Sequence, residues 1–198
     1  MKENRVVALD MDEVLFNFAD SYQEWRVGKG LGVVDLSQMT GYQFFTGLGM
    51  SPAEANEHEV DFLSDFGLKA RPMDGAVAGV AELSKVANLI VLTARVESIH
   101  GVLTRSWLEH HFPGTFTQII LTHQTPEISL GSKGEFATRL GVSALVDDYA
   151  GHLESIKHPT KGVLFGTRPN TIKSALPDNC IRVASWSELS AQVAKLIG

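Results

Sequence analysis

Short runs of apolar residues alternate along the chain with stretches whose apolar positions recur every three or four residues. The runs at 6–9, 89–92, 119–121, 144–146 and 163–165 are apolar throughout, and 181–183 is apolar on either side of Arg182, so each reads as a strand of a buried sheet. Between them lie helical patterns. Val14, Phe18, Tyr22 and Trp25 share one face of a helix that ends near Gly28-Lys29-Gly30, and Ser51-Pro52-Ala53-Glu54 is a capping box with Pro52 at the first helical position. A second short helix is expected over 60–66. Further helices are predicted over 75–86, with Val77, Val80, Ala81 and Ser84 on one face, around Ile99, Val102, Leu103 and Trp107, and over 132–140. Ser185-Trp186-Ser187-Glu188 is a second capping box, before a helix whose Leu189, Val193 and Leu196 face inward.

Apolar strands alternating with helices predict an α/β fold, a Rossmann-like parallel sheet with helices on both faces. The stretch 16–70 breaks the alternation, because it looks helical and holds no convincing strand. It is therefore read as a small helical cap inserted after the first strand, leaving 1–15 and 71–198 as the core domain. No internal repeat or low-complexity tract interrupts this plan.

Composition narrows the setting. The chain has 198 residues, 44% hydrophobic and 20% charged, enough for one globular unit with a substantial core. No window approaches the apolar length of a membrane span, and Met1-Lys2-Glu3-Asn4 leaves no room for a signal peptide before the first strand. Cys180 is the sole cysteine, so an internal disulfide is ruled out and a reducing, cytoplasmic location is expected. A formal charge of -6 without any Lys/Arg stripe argues against nucleic-acid polymers. A small anionic substrate stays compatible if a local metal or Lys offsets the charge.

Polar residues cluster where such sheets bind ligands, at the carboxyl ends of strands. The first strand ends in Asp10 and Asp12, which point the same way if the strand geometry persists. The second ends in Thr93, the fourth in Asp147 and Asp148, and Lys133 lies at a predicted helix start between the third and fourth. Each has an ordinary reading: turn acids capped by backbone N–H groups, a Thr with good β propensity, a solvated Lys. Four such placements together are harder to assign to capping and solubility.

Asp-x-Asp after strand one, a Thr after strand two, a lone Lys and then Asp-Asp resembles the four-motif signature of the haloacid dehalogenase superfamily of phosphotransferases. More narrowly, the chain resembles the 5'(3')-deoxyribonucleotidases. The matching pieces are Leu9-Asp10-Met11-Asp12-x-Val14-Leu15-x-x-Phe18, Gly75-Ala76-Val77 after Pro72, Trp107-Leu108-Glu109-x-His111-Phe112, Ile119-Ile120-Leu121-Thr122, Leu145-Val146-Asp147-Asp148, Val163-Leu164-Phe165 and Ser185-Trp186. They run in order over nearly the whole chain. Three departures stand out: Glu13 where the family usually has Gly, Ala94 where it has Ser, and a longer segment between Lys133 and Asp147.

The resemblance implies a phosphatase of a small phosphomonoester, a nucleoside monophosphate and in particular a deoxyribonucleotide, working through an aspartyl-phosphate. Asp10 would be the nucleophile and Asp12 the acid and base. Thr93, Ala94 and Lys133 would line the phosphate. Mg²⁺ would be held by Asp10, the main-chain carbonyl of Asp12 and one or both of Asp147 and Asp148, with the resemblance leaning towards Asp148. Arg95 sits beside the site, as a phosphate contact or the partner of an acid. Phe18 matches a base-stacking aromatic, and Tyr42, Phe44 and Phe45 lie where others would contribute, although aromatics at helical spacing are more often core. None of the seven His residues shows zinc-ligand spacing, and His110-His111 reads as helix surface. A homodimer is compatible with all of this. Two rival readings are the same chemistry on another phosphorylated metabolite such as a sugar phosphate, and a non-catalytic protein that binds a phosphoryl ligand.

Overall fold

A computed structural model describes residues 5–36, 45, 48–125 and 128–198. Seven strands form one sheet: β1 (Val6–Leu9), β2 (Asn88–Val96), β3 (Phe116–Thr125), β4 (Ile128–Ser129), β5 (Ala144–Asp147), β6 (Lys161–Phe165) and β7 (Cys180–Val183). Their order is β4-β3-β2-β1-β5-β6-β7, parallel throughout except for the short antiparallel edge strand β4. The helices are α1 (Phe18–Gly28), α2 (Pro52–Phe66), α3 (Ala76–Leu83), α4 (Glu97–His111), α5 (Lys133–Arg139), α6 (Ala150–Leu153), α7 (Pro169–Lys173) and α8 (Trp186–Leu196). The α/β architecture with a parallel sheet is the one expected.

Alternate residues of the central strands feed two cores, as a pleated strand requires. Val7, Leu9 and Val91 pack with Trp107 of α4 and Trp186 of α8, whereas Ala8, Ile90 and Leu145 pack with Ala137 of α5 and Leu153 of α6. Helices therefore cover both faces. Phe16 forms an antiparallel bridge with Pro72, and Met73 N–H bonds Leu15 O at 2.8 Å, so the chain leaves the sheet after β1 and returns beside its exit. The intervening α1 and α2 share the larger core through Phe18, Tyr22, Phe62 and Leu63.

Several elements differ from the sequence expectation. Residues 52–66 form one continuous helix, not two, because nothing in that run breaks the backbone ladder, and its capping box is complete at Ser51 and Glu54. The box at Ser185 is half formed: Ser185 caps Glu188 N–H, but the Glu188 carboxylate accepts from Ala184 N–H. On α3 the buried residues are Ala76, Gly79, Val80 and Leu83, while Val77 is 53% exposed. On α4 they are His100, Gly101, Thr104, Trp107 and Leu108, leaving Val102 83% exposed. β4, α6 and α7 carry too few residues to produce a readable period.

Candidate active site

The chain runs from β1 outward to β2, β3 and β4, then crosses back to β5 on the other side of β1. That reversal opens a crevice between the carboxyl ends of β1 and β5. Leu9 is in register with Val91 on β2 and Val146 on β5, so Asp10 lies beside Asp147 and Asp10 N–H bonds Val146 O at 3.0 Å. Thr93 lies two residues further along β2, its hydroxyl accepting from Arg95 N–H at 3.2 Å. Ser132 caps α5, whose first residue, Lys133, points into the crevice and is buried.

Lys133 Nζ sits 2.6 Å from Asp10 Oδ2 and 2.8 Å from Asp147 Oδ2. Burial alone would discharge the ammonium, yet the two carboxylates hold it firmly protonated. Asp147 is also 3.1 Å from His152 Nδ1 through both oxygens, and its Oδ1 accepts from Tyr149 N–H at 3.0 Å. Against the cost of burial, Lys133 and then His152 bring the Asp147 carboxyl down to about 2. Asp10 has Lys133 but fewer other donors. Burial raises it to about 6, Lys133 pulling it down and Asp147 adding repulsion, while its Oδ1 accepts from Met11 N–H at 2.7 Å.

Asp12 has a different cation as its partner. Both its oxygens accept from Arg95, Nε at 2.9 Å and Nη2 at 2.7 Å. Glu13 takes a left-handed backbone (φ 57°), the conformation that favours glycine at this position. A non-glycine residue there costs roughly 1–2 kcal/mol. The side chain offsets that cost, because Glu13 Oε1 accepts from Ala19 N–H at 2.7 Å and Oε2 from Arg168 Nε at 2.8 Å. Its carboxylate is thus held between α1 and the loop after β6.

Asp148 has a different environment. Burial, then the charges of Asp147, Asp10 and Glu13, push its carboxyl well above the usual range against the pull of Lys133. A cavity of about 530 Å³ opens beside it, lined by Glu13, Asn17, Asp74, Arg168 and Thr171 among others. Among the described residues, Asp10, Asp147 and His152 each bring one donor atom within 4.8 Å of the others, a group able to hold a metal. Lys133 Nζ already bridges the two carboxylates of that group. Carboxylate oxygens are hard donors, and a divalent cation beside Asp10 and Asp148 would relieve the repulsion at Asp148.

Asp10, Asp147, Asp148 and Lys133 thus act on one another in one crevice, while Thr93 is buried at the end of β2 with half-buried Ala94 next to it. The aromatic expectations fare differently. Phe18 and Phe45 are 6% and 5% exposed and pack edge-on, with Phe62 also against Phe18, so they serve the core here and are not open to a ligand. Tyr42 and Phe44 lie outside the described residues. His152, passed over because no ligand spacing marks it, reaches Asp147 across the turn into α6. Arg168 and Glu59 were also missed. Glu59, on the inner side of α2, is raised to about 7 by burial, then by the Asp12 charge. His111 does not simply face solvent; its ring packs on Trp107 with centroids 4.5 Å apart.

The fold recurs in solved structures. A haloacid dehalogenase-like family hydrolase from Streptococcus pneumoniae matches 97% of this chain and 99% of its own, with a TM-score of 0.64 at 14% identity. The magnesium-bound YfnB of Bacillus subtilis covers 96% and 98%, with a TM-score of 0.55 at 15% identity. An L-2-haloacid dehalogenase covers 96% and 99%, with a TM-score of 0.58 at 13% identity. The similarity is one of fold, the α/β fold of haloacid dehalogenase-type hydrolases. No protein-family profile matches the chain, and no curated protein matches it.

Proposed function

We propose that the chain is a phosphatase that hydrolyses a nucleoside monophosphate, in particular a deoxyribonucleoside monophosphate, through an aspartyl-phosphate on Asp10. The observation that carries the reading is the 2.6 Å contact between Lys133 and Asp10 at the end of β1, with a second carboxylate two residues on. Phosphate monoesters carry negative charge that repels an attacking carboxylate, so a cation at the nucleophile is what the chemistry needs. The nucleotide substrate is supported by the deoxyribonucleotidase-like motifs. The sequence rival, a sugar phosphate or similar metabolite, would use the same groups.

Asp10 attacks phosphorus in line while the bond to the leaving oxygen breaks. Asp12 gives that oxygen a proton, then takes one from the water that attacks the phosphoryl group and frees Asp10. Lys133 orients Asp10 and balances charge, and the Thr93 hydroxyl proton donates to a phosphoryl oxygen. A fold shared with a dehalogenase leaves a second reaction class to weigh. Halide departs as a stable anion, so an acid at Asp12 would have no task there; an alkoxide needs one. A magnesium ion held by Asp10, Asp148 and the Asp12 carbonyl would neutralise phosphoryl charge.

The test is phosphate release from a panel of nucleoside and sugar monophosphates with and without Mg²⁺. Turnover should be greatest on a deoxyribonucleotide, and Asp10→Asn should abolish it while leaving the melting temperature near that of the wild type. No release from any monoester would leave the phosphoryl-binding rival standing, and an active Asp10→Asn would remove Asp10 as nucleophile.

A further inference from the structure

One buried cation beside the site does not touch the proposed phosphate groups. The Arg95 side chain is 2% exposed, yet it spends its fork on Asp12, whose side chain is 31% exposed. Its third nitrogen, Nη1, bonds Thr104 Oγ1 at 3.1 Å, and its guanidinium lies 4.7 Å from the centre of the Phe16 ring. The backbone on either side is held as well. Arg95 N–H bonds Thr93 Oγ1, and Val96 N–H bonds His100 Nδ1 at 3.1 Å. Thr104 and His100 are the buried polar residues that interrupt the inner stripe of α4.

We propose that Arg95 is a positioning residue for Asp12, a fixed mount that aims the acid/base carboxylate at the leaving group. The inference rests on the phosphatase reading and adds to it how the acid is held. A guanidinium gripped by β2, α4 and an aromatic face cannot follow a moving carboxylate, so Asp12 is the partner that moves. When the leaving oxygen takes the Asp12 proton as its bond to phosphorus breaks, the charge left on Asp12 returns to the fork. When water later attacks, the same carboxylate accepts its proton, and the Asp10–phosphorus bond breaks. When one of the two Arg95 bonds opens, the other still holds Asp12, which keeps the freed oxygen within reach through both half-reactions.

Leaving-group dependence tests this, because only a group serving the acid discriminates between esters. Arg95→Lys, Arg95→Gln, Thr104→Val and Asp12→Asn are compared with the wild type on an alkyl monophosphate, deoxyribonucleoside or glycerol, and on para-nitrophenyl phosphate, whose phenolate needs little proton assistance. Expected for the Arg95 variants is a loss of kcat at least about ten-fold greater on the alkyl ester than on the aryl ester, with KM little changed. Asp12→Asn should show the same pattern more strongly, Thr104→Val more weakly, and Arg95→Lys should recover part of the loss seen in Arg95→Gln. If Arg95→Gln fails to fold, Arg95→Lys and Thr104→Val carry the comparison. Equal losses on both esters in these variants, beside a discriminating Asp12→Asn, would overturn the proposal while sparing the phosphatase reading. An Asp12→Asn that does not discriminate would overturn the proposal through the acid itself, and a wild type inactive on both esters would remove the phosphatase reading.

Discussion

His100 illustrates how one buried residue can set an acid limit. Its Nδ1 accepts from Val96 N–H, so the ring proton sits on Nε2, which is buried with no hydrogen-bond partner among the described residues. Burial, then the nearby Arg95 charge, bring its pKa from 6.5 to about 4. The folded state therefore resists a proton that the unfolded chain accepts, and the stability this neutral ring contributes is complete above pH 6.5 and lost as pH falls towards 4. The expected loss from this group is about 2 kcal/mol at pH 5. His100→Asn keeps an acceptor for Val96 but does not titrate, so urea unfolding at pH 7 and pH 5 should show a smaller drop in the variant; equal drops would mean that His100 is protonated in the fold. The limits of sequence reading show at this scale. The positions of Asp10, Asp12, Thr93, Asp147 and Asp148 were legible because each lies at or just past the end of an apolar strand run. His152 and Arg168 were not, since each reaches a neighbouring acid through a contact that no local spacing encodes, and Glu59 feels the Asp12 charge only through the fold. Glu13 was legible only as an oddity, and its partners Ala19 and Arg168 give it a structural role.

Elements were read well where period and capping agreed, and misread where function altered the stripe. On α4 the apolar pattern pointed to Ile99 and Val102, but Thr104 and His100 face inward to serve Arg95 and the strand after it. On α3 Gly79 faces inward, because Trp186 of α8 lies where a side chain would stand. The same close approach occurs at Gly134, the residue after Lys133. A Cβ there would lie 2.7 Å from His152 O and 2.9 Å from Ile156 N, backbone atoms that yield less readily than a side chain. Gly134→Ala gains about 1 kcal/mol of helix propensity, but overpacking against backbone costs roughly 1–3 kcal/mol. Net destabilisation is expected, and the shift of α5 should draw Lys133 from its 2.6 and 2.8 Å contacts. The measurement is kcat at saturating substrate, at a temperature where the variant is fully folded. A fall of about ten-fold or more there fits a displaced Lys133; an unaltered kcat would show that α5 yields without moving its first residue.

At the scale of the whole molecule, alternating strands and helices foretold the α/β class but not the strand order. Order follows from long-range pairing, and it is the order that makes a crevice between β1 and β5 and loads it with like charge. Asp147, Asp10 and Glu13 all press their charge on Asp148 there, in a chain of net charge -6, and Lys133 and Arg168 answer only part of that charge. No helix among the described residues is long and apolar enough to cross a membrane. Repulsion of this kind weakens the metal-free fold and favours any divalent cation that relieves it, which links metal binding to stability. A ligand at a hundred times its Kd contributes about 2.7 kcal/mol, which in a chain of this length moves the melting temperature by about 5–10 °C. Mg²⁺ added to chelator-treated protein is therefore expected to raise the melting temperature of the wild type by that order. Asp148→Asn removes a carboxylate that no cation fully pairs, at almost constant shape. It should melt at or above the metal-free wild type and lose the Mg²⁺ shift, so one substitution moves the two readings in opposite senses. A variant that keeps the full shift would take Asp148 out of the ligand set, and a lower metal-free melting temperature would show that its charge is better compensated than its neighbours imply.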